Sequence, residues 1–129
     1  MLLSKALPVT AVMLVAAFLS PVAVATDADL IRGERIFQMQ CAGCHAVTPG
    51  DHRAGPSLYR VLGRPAGDAE GFEYSPAMGE ADLIWTPERL DAFLENPEQV
   101  VPGNRMVFWG LDEREREQVI RYLEQVGGE

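Results

Sequence analysis

The sequence predicts an all-α domain. Three observations carry that expectation. Apolar residues recur at helical spacing near both ends of the chain, helix-capping residues stand at the edges of those segments, and no run alternates apolar with polar residues as a strand would. Between the helical ends, residues 46–85 are rich in glycine and proline (Pro49-Gly50, Gly55-Pro56, Gly63, Pro65, Gly67, Gly71, Pro76, Gly79). Such punctuation permits only short helical pieces. A loop region this long is unusual in a compact domain unless it wraps something.

Each element has its own signal. Residues 27–40 read as a first helix, with Asp27 as N-cap and Leu30, Ile31 and Phe37 on one face. Short helical pieces are expected at residues 57–62 and 75–79. Thr86-Pro87 opens the next helix, threonine as N-cap and proline at the first helical position. Leu90, Phe93 and Leu94 form its apolar side, and Asn96-Pro97 ends it. After a loop over residues 100–110, Asp112 caps a last helix, with Glu115 three residues on completing a capping-box pair. Val119, Ile120, Leu123 and Val126 make the buried stripe of that helix.

With 129 residues the chain has room for one domain, expected to occupy residues 26–129. Residues 1–25 read instead as a secretory leader: a short start containing Lys5, an apolar run, and Ala23-Val24-Ala25 as the cleavage signal. The alternative is an uncleaved anchor facing the periplasm, because the uncharged stretch approaches the roughly 20 residues a spanning helix needs. Lys5 is the only lysine, so cleavage takes the net charge from −8 to one unit lower, −9. Phosphates repel such a surface, which excludes nucleic acid and disfavours anionic membranes. An exported bacterial protein, periplasmic, is expected; a membrane enters only if residues 1–25 are retained.

Two cysteines in an exported chain would ordinarily suggest a disulfide. Here they stand in Cys41-Ala42-Gly43-Cys44-His45, the C-x-x-C-H spacing of a covalently attached c-type haem. Sulfurs at i and i+3 on one helical turn can reach the two vinyl groups of a single haem. The next residue, His45, is then directed under the ring as an iron ligand. Rival readings explain less. A zinc site would have to draw on Cys41, Cys44, His45 and His52, and two adjacent ligands converge poorly on one metal. A thioredoxin-like dithiol needs a parallel sheet, and a disulfide leaves the histidine unexplained.

The opposite face of the haem needs a ligand as well. His52 reads as a solvated loop histidine among Asp51 and Arg53, and Met39 lies too near the attachment site to reach that face. Met78 and Met106 remain. Met78 could equally pack in the core. Met106 sits in a rigid turn, Val101-Pro102-Gly103-Asn104-Arg105-Met106-Val107-Phe108.

From Gly33 to Leu123 the chain resembles a class I cytochrome c of the mitochondrial and bacterial cytochrome c2 type. The resemblance runs through Gly33, Phe37, the haem motif, Gly55-Pro56-Ser57-Leu58, Gly63-Arg64 and Gly71-Phe72-Glu73-Tyr74-Ser75. It continues through Trp85, Leu90, Phe93-Leu94, Asn96-Pro97, Val101-Pro102-Gly103, Met106, Phe108, Gly110-Leu111 and Tyr122-Leu123. It implies a monomer of three main helices and long loops wrapped around one haem, with Met106 as the axial thioether. By the same resemblance the Pro56 carbonyl accepts from His45, Tyr74, Trp85 and Asn104 hydrogen-bond the haem propionates, and Arg64 offsets their charge. Gly33 would let the first and last helices cross closely beneath Tyr122.

The chain departs from the family in three places. Phe93 stands where a tyrosine often bonds the methionine sulfur, and Met78 where asparagine is common. Glu98 and Gln99 replace part of the usual lysine docking ring, leaving Arg105 nearby. His–Met ligation leaves no open iron position, so the expected function is one-electron transfer between respiratory or photosynthetic-type redox partners, not enzymic catalysis. The alternative is a haem peroxidase-like enzyme or ligand sensor with a displaceable methionine. Partners are expected to present a basic or apolar docking patch.

Overall fold

In the computed structural model, residues 26–127 are described; the expected leader at residues 1–25 lies outside them. Helix α1 (Asp27–Ile36) runs into a π turn at Phe37–Cys41, α2 is Pro76–Gly79, α3 Pro87–Glu95, α4 Pro97–Val100 and α5 Glu113–Val126. Among the described residues no strand forms, only an isolated antiparallel bridge between Pro65 and Ile84. The all-α expectation holds.

Caps fix most boundaries as expected. Thr86 accepts from the Arg89 N–H with Pro87 at the helix start. Asp112 and Glu115 form both halves of a capping box. Ser75 caps α2 through the Met78 N–H. Asn96 ends α3 but also caps a further turn, α4, by accepting from Gln99. At α1 the cap is Thr26, whose hydroxyl bonds the Asp29 carboxylate at 2.9 Å, and Asp27 is already helical.

Residues 57–62 are not a helix. Arg60 adopts φ +52°, the left-handed region that interrupts helical propagation. The carbonyls that would serve the helix are taken by the Arg64 guanidinium, which donates to Tyr59 at 3.2 Å and Ser57 at 3.0 Å.

The helices are held mainly by one crossing. Helix α1 lies across α5 with Gly33 at the contact, where a Cβ would collide with the Gln118 carbonyl and with Tyr122. Phe37, one turn on, is 2% exposed and packs against Tyr122, ring centroids 5.6 Å apart; Val119 opposite is 1% exposed. The inward face of α1 is therefore Gly33 and Phe37, whereas Ile31 is 57% exposed and lies outside the face predicted for it. Helix α3 is pinned to α5 by Arg116, largely buried, whose Nε meets Asp91 at 2.8 Å while another nitrogen donates to the Leu111 carbonyl at 2.9 Å.

Gly33→Val should push α1 off α5 and lower unfolding stability by at least about 2 kcal/mol, the scale of overpacking a tight core. A fall in the guanidinium midpoint at unchanged m-value is the readout.

Candidate functional site

The π turn ends at Cys41 with the Ala42 N–H bonded to the Phe37 carbonyl at 2.9 Å. Such bulges often mark functional sites. The Cys41 carbonyl then accepts from both Cys44 (3.0 Å) and His45 (2.9 Å), folding the motif into one tight turn. All three side chains line a single cavity of about 250 Å³. Pro56, Arg64, Tyr74, Trp85, Asn104 and Met106 line the same cavity. Every site residue named from the sequence thus converges on one space.

His45 is buried, and burial holds it below the usual histidine range; the Pro56 carbonyl opposes that shift and the Arg64 charge adds to it. The imidazole is neutral at pH 7. Its Nδ1–H donates to the Pro56 carbonyl at 2.8 Å, which leaves the Nε2 lone pair for a metal. Gly55 lies against the ring so closely that a Cβ there would collide with it. The loop therefore clamps the imidazole from its edge and from one side.

The thiol chemistry rules against a redox dithiol. Burial, reinforced by Cys44, pushes the Cys41 thiol up to about 11, the opposite of the depressed value a reactive pair needs. Among the described residues no cluster of three or more His, Cys, Asp or Glu side chains is placed to hold a metal ion. His52 and Met39 do not line the cavity, and Met39 is 73% exposed. Met78 does line it, as does Met106.

Several polar groups line the cavity. Two short backbone bonds, Gly63 N–H to the Trp85 carbonyl (2.8 Å) and Trp85 N–H to the Arg64 carbonyl (3.0 Å), hold Arg64 and Trp85 side by side. The Arg64 Nε is buried without a hydrogen-bond partner. A buried guanidinium N–H left unmade is costly, and an acidic group of a bound cofactor would satisfy it. The Tyr74 hydroxyl accepts from the Ala69 N–H at 3.1 Å. Asn104 is committed to the backbone: its Oδ1 accepts from the Met106 N–H at 2.9 Å and its amide donates to Val101 at 2.9 Å. Much of the remaining lining is apolar, with Leu90, Leu94, Phe93, Val119 and Leu123; Trp85 and Phe93 meet edge to face at 5.0 Å. Paired thiols, one free imidazole nitrogen, a thioether, an orphaned guanidinium N–H and dry walls fit a covalently held haem.

One residue has a role that sequence reasoning missed. His52 is not a solvated side chain. Its Nδ1 accepts from the Ser57 N–H at 3.0 Å, which fixes the proton on Nε2, and that N–H donates to the Glu70 carbonyl at 2.8 Å. The ring also meets Phe72 at 5.7 Å, and Phe72 meets Tyr74 edge-on at 4.9 Å. It therefore ties the loop carrying Pro56 to the loop carrying Tyr74. Both partners are backbone groups distant in sequence from it or unmarked by residue type, so no local signal pointed to them.

The sequence model of the cytochrome c family matches residues 30–127. Similar proteins include a cytochrome c of Chlamydomonas reinhardtii, 46% identical over 83% of this chain and 97% of the algal protein. A cytochrome c2 of Rhodopila globiformis is 38% identical over 78% of this chain and 95% of its own length. A cytochrome c 2.1 of Caenorhabditis briggsae is 39% identical over 74% of this chain and 87% of the nematode protein.

His52→Ala removes both loop tethers and leaves the buried Ser57 N–H unmade. Stability should fall by about 1–3 kcal/mol, the scale of an unsatisfied buried donor. Thermal unfolding followed by circular dichroism checks this, and an unchanged midpoint contradicts the clamp.

Proposed function

The chain belongs to the cytochrome c family, and from that premise we propose that Cys41 and Cys44 hold its haem through two thioether bonds while His45 and Met106 ligate the iron. The protein carries covalently bound haem c and is an electron-transfer protein, not an enzyme. When bound, the haem supplies one-electron Fe(III)/Fe(II) chemistry.

This chain's residues supply the rest. Pro56 orients His45 through the 2.8 Å bond to Nδ1, which also raises the basicity of the ligating nitrogen. Asn104 holds the Met106 backbone in place. Arg64 offsets propionate charge, and Tyr74, Trp85 and Asn104, which line the same cavity, hydrogen-bond the propionates. Phe93 and Met78 extend the apolar wall beside Met106 and exclude water from it. A thioether ligand in a dry pocket favours the reduced state and so a high potential. The convergence of these residues on one cavity is the observation that supports the reading.

Residues 1–25 act as an export leader and the mature chain works as a periplasmic monomer. The family match supports this by beginning at residue 30, beyond the leader. Within the described residues no helix is long and apolar enough to cross a membrane. A mature N-terminus at Thr26, found by sequencing the exported protein, checks the cleavage; retention of Met1 contradicts it. The redox partner presents a basic or apolar patch to this acidic protein.

In the oxidised protein a weak red absorption band of iron(III)–thioether bonding is expected. It should vanish in Met106→Ala and persist in Met78→Ala; the reverse pattern moves the ligand to Met78. Acid–acetone extraction should leave the pigment on the polypeptide. Rapid, complete carbon monoxide binding by the reduced protein at neutral pH would favour the peroxidase or sensor alternative.

A further inference from the structure

Residues 104–110 have no regular secondary structure, yet their burial alternates residue by residue. Met106 and Phe108 are partly buried and line the cavity, while Arg105, Val107 and Trp109 are exposed, Arg105 and Val107 bordering the cavity at its edge. An extended segment with one wet side should carry polar residues outward. This one carries Val107 at 88% exposure and Trp109 at 95%. The other tryptophan, Trp85, is 6% exposed. Trp109 has no ring contact and no hydrogen bond among the described residues, so nothing in the fold accounts for it.

Single exposed apolar side chains are common and carry no meaning. Here the position adds a second observation. Val107 is both exposed and part of the cavity lining, so it forms the rim. Trp109 stands two residues farther along, about 7 Å at extended rise. A body seated on Trp109 would lie against the mouth of the redox site. Tryptophan is also the side chain most often found as a binding anchor, with large area and few rotamers to fix.

The surroundings choose the occupant. Glu95, Glu98, Asp112 and Glu113 flank the segment, against Arg105 and Arg114, and the whole chain carries a net charge of −8. A second copy would bring like charges together, and an anionic lipid surface would be repelled. We infer that the outward edge of residues 105–109, centred on Trp109, is the docking surface for a redox-partner protein that presents an apolar recess bordered by arginine or lysine. The inference rests on the electron-carrier function and deepens it. Trp109 fills the recess, and the acidic rim steers the encounter.

The test uses reduced holoprotein, wild type, Trp109→Ala and Trp109→Phe, re-oxidised by an extract of the source cells with membranes included. Trp109→Ala should raise the half-saturating carrier concentration by about tenfold, the scale of losing an aromatic anchor. Trp109→Phe should recover most of that loss, and added salt should slow the wild type. The small anionic oxidant hexacyanoferrate(III), which needs no docking, should oxidise all three alike, at one common midpoint potential. Equal rates for Trp109→Ala and wild type with the extract overturn the docking surface, as does a slowing shared with hexacyanoferrate(III). Retention on anionic phospholipid vesicles, or a dimer that Trp109→Ala dissolves, overturns the choice of occupant. An extract that never re-oxidises the wild type overturns the carrier function itself, and the docking surface with it.

Discussion

The crossing of α1 over α5 sets the aim of everything attached to it. At Gly33 the absence of a side chain brings the α1 backbone against the Gln118 carbonyl and Tyr122, closer than any other residue allows. One turn later Phe37 locks into the same junction. From that fixed point the chain passes through the π turn to Cys41, and the two bonds to the Cys41 carbonyl turn Cys44 and His45 into the cavity. A shift of α1 along α5 would move the sulfurs and the imidazole together. The attachment chemistry is therefore positioned by a helix contact that includes none of the attaching residues.

Beyond that junction the interior is lined more than it is filled. The helices give one apolar wall, and the glycine- and proline-rich residues 46–85 and the segment 104–108 give most of the rest. Those loops hold their shape through a few long-range tethers: His45 to Pro56, His52 to Ser57 and Glu70, and Arg64 to Ser57 and Tyr59. Roughly 100 residues make only a marginal core alone. A large apolar cofactor held in this cavity would supply the buried area the chain lacks. Fold and redox site are for that reason one design: the group that does the chemistry also completes the core.

What could be read from the sequence follows from how local each signal is. The caps Thr86 and Asp112 were legible because a capping bond spans only two or three residues. The haem motif was legible because its chemistry demands a fixed spacing. Residues 57–62 misled, since nothing in their own order announces that Arg64 will take their carbonyls. Ile31 misled because a helical face wider than its contact leaves apolar residues at the edge. The role of His52 was hidden for a deeper reason. Its partners are backbone atoms, and a backbone carbonyl looks the same at every residue.

The segment from Asn104 to Leu111 joins the two halves of the function. Its near end is pinned by Asn104 to Val101 and by Glu98 to the Gly103 N–H, and its far end by the Leu111 N–H to the Leu94 carbonyl at 3.0 Å. The proposed Met106 thioether, carried between two anchors, would move little when the charge at the site changes, which would keep the reorganisation on electron transfer small. The same tension holds Val107 and Trp109 outward at fixed positions, so a partner meets a surface already formed. Period-two alternation of burial is what would permit both: in the proposed reading one side of the segment serves the metal and the other the encounter. A helix here would have spread those side chains around a cylinder, and neither task would have a dedicated face.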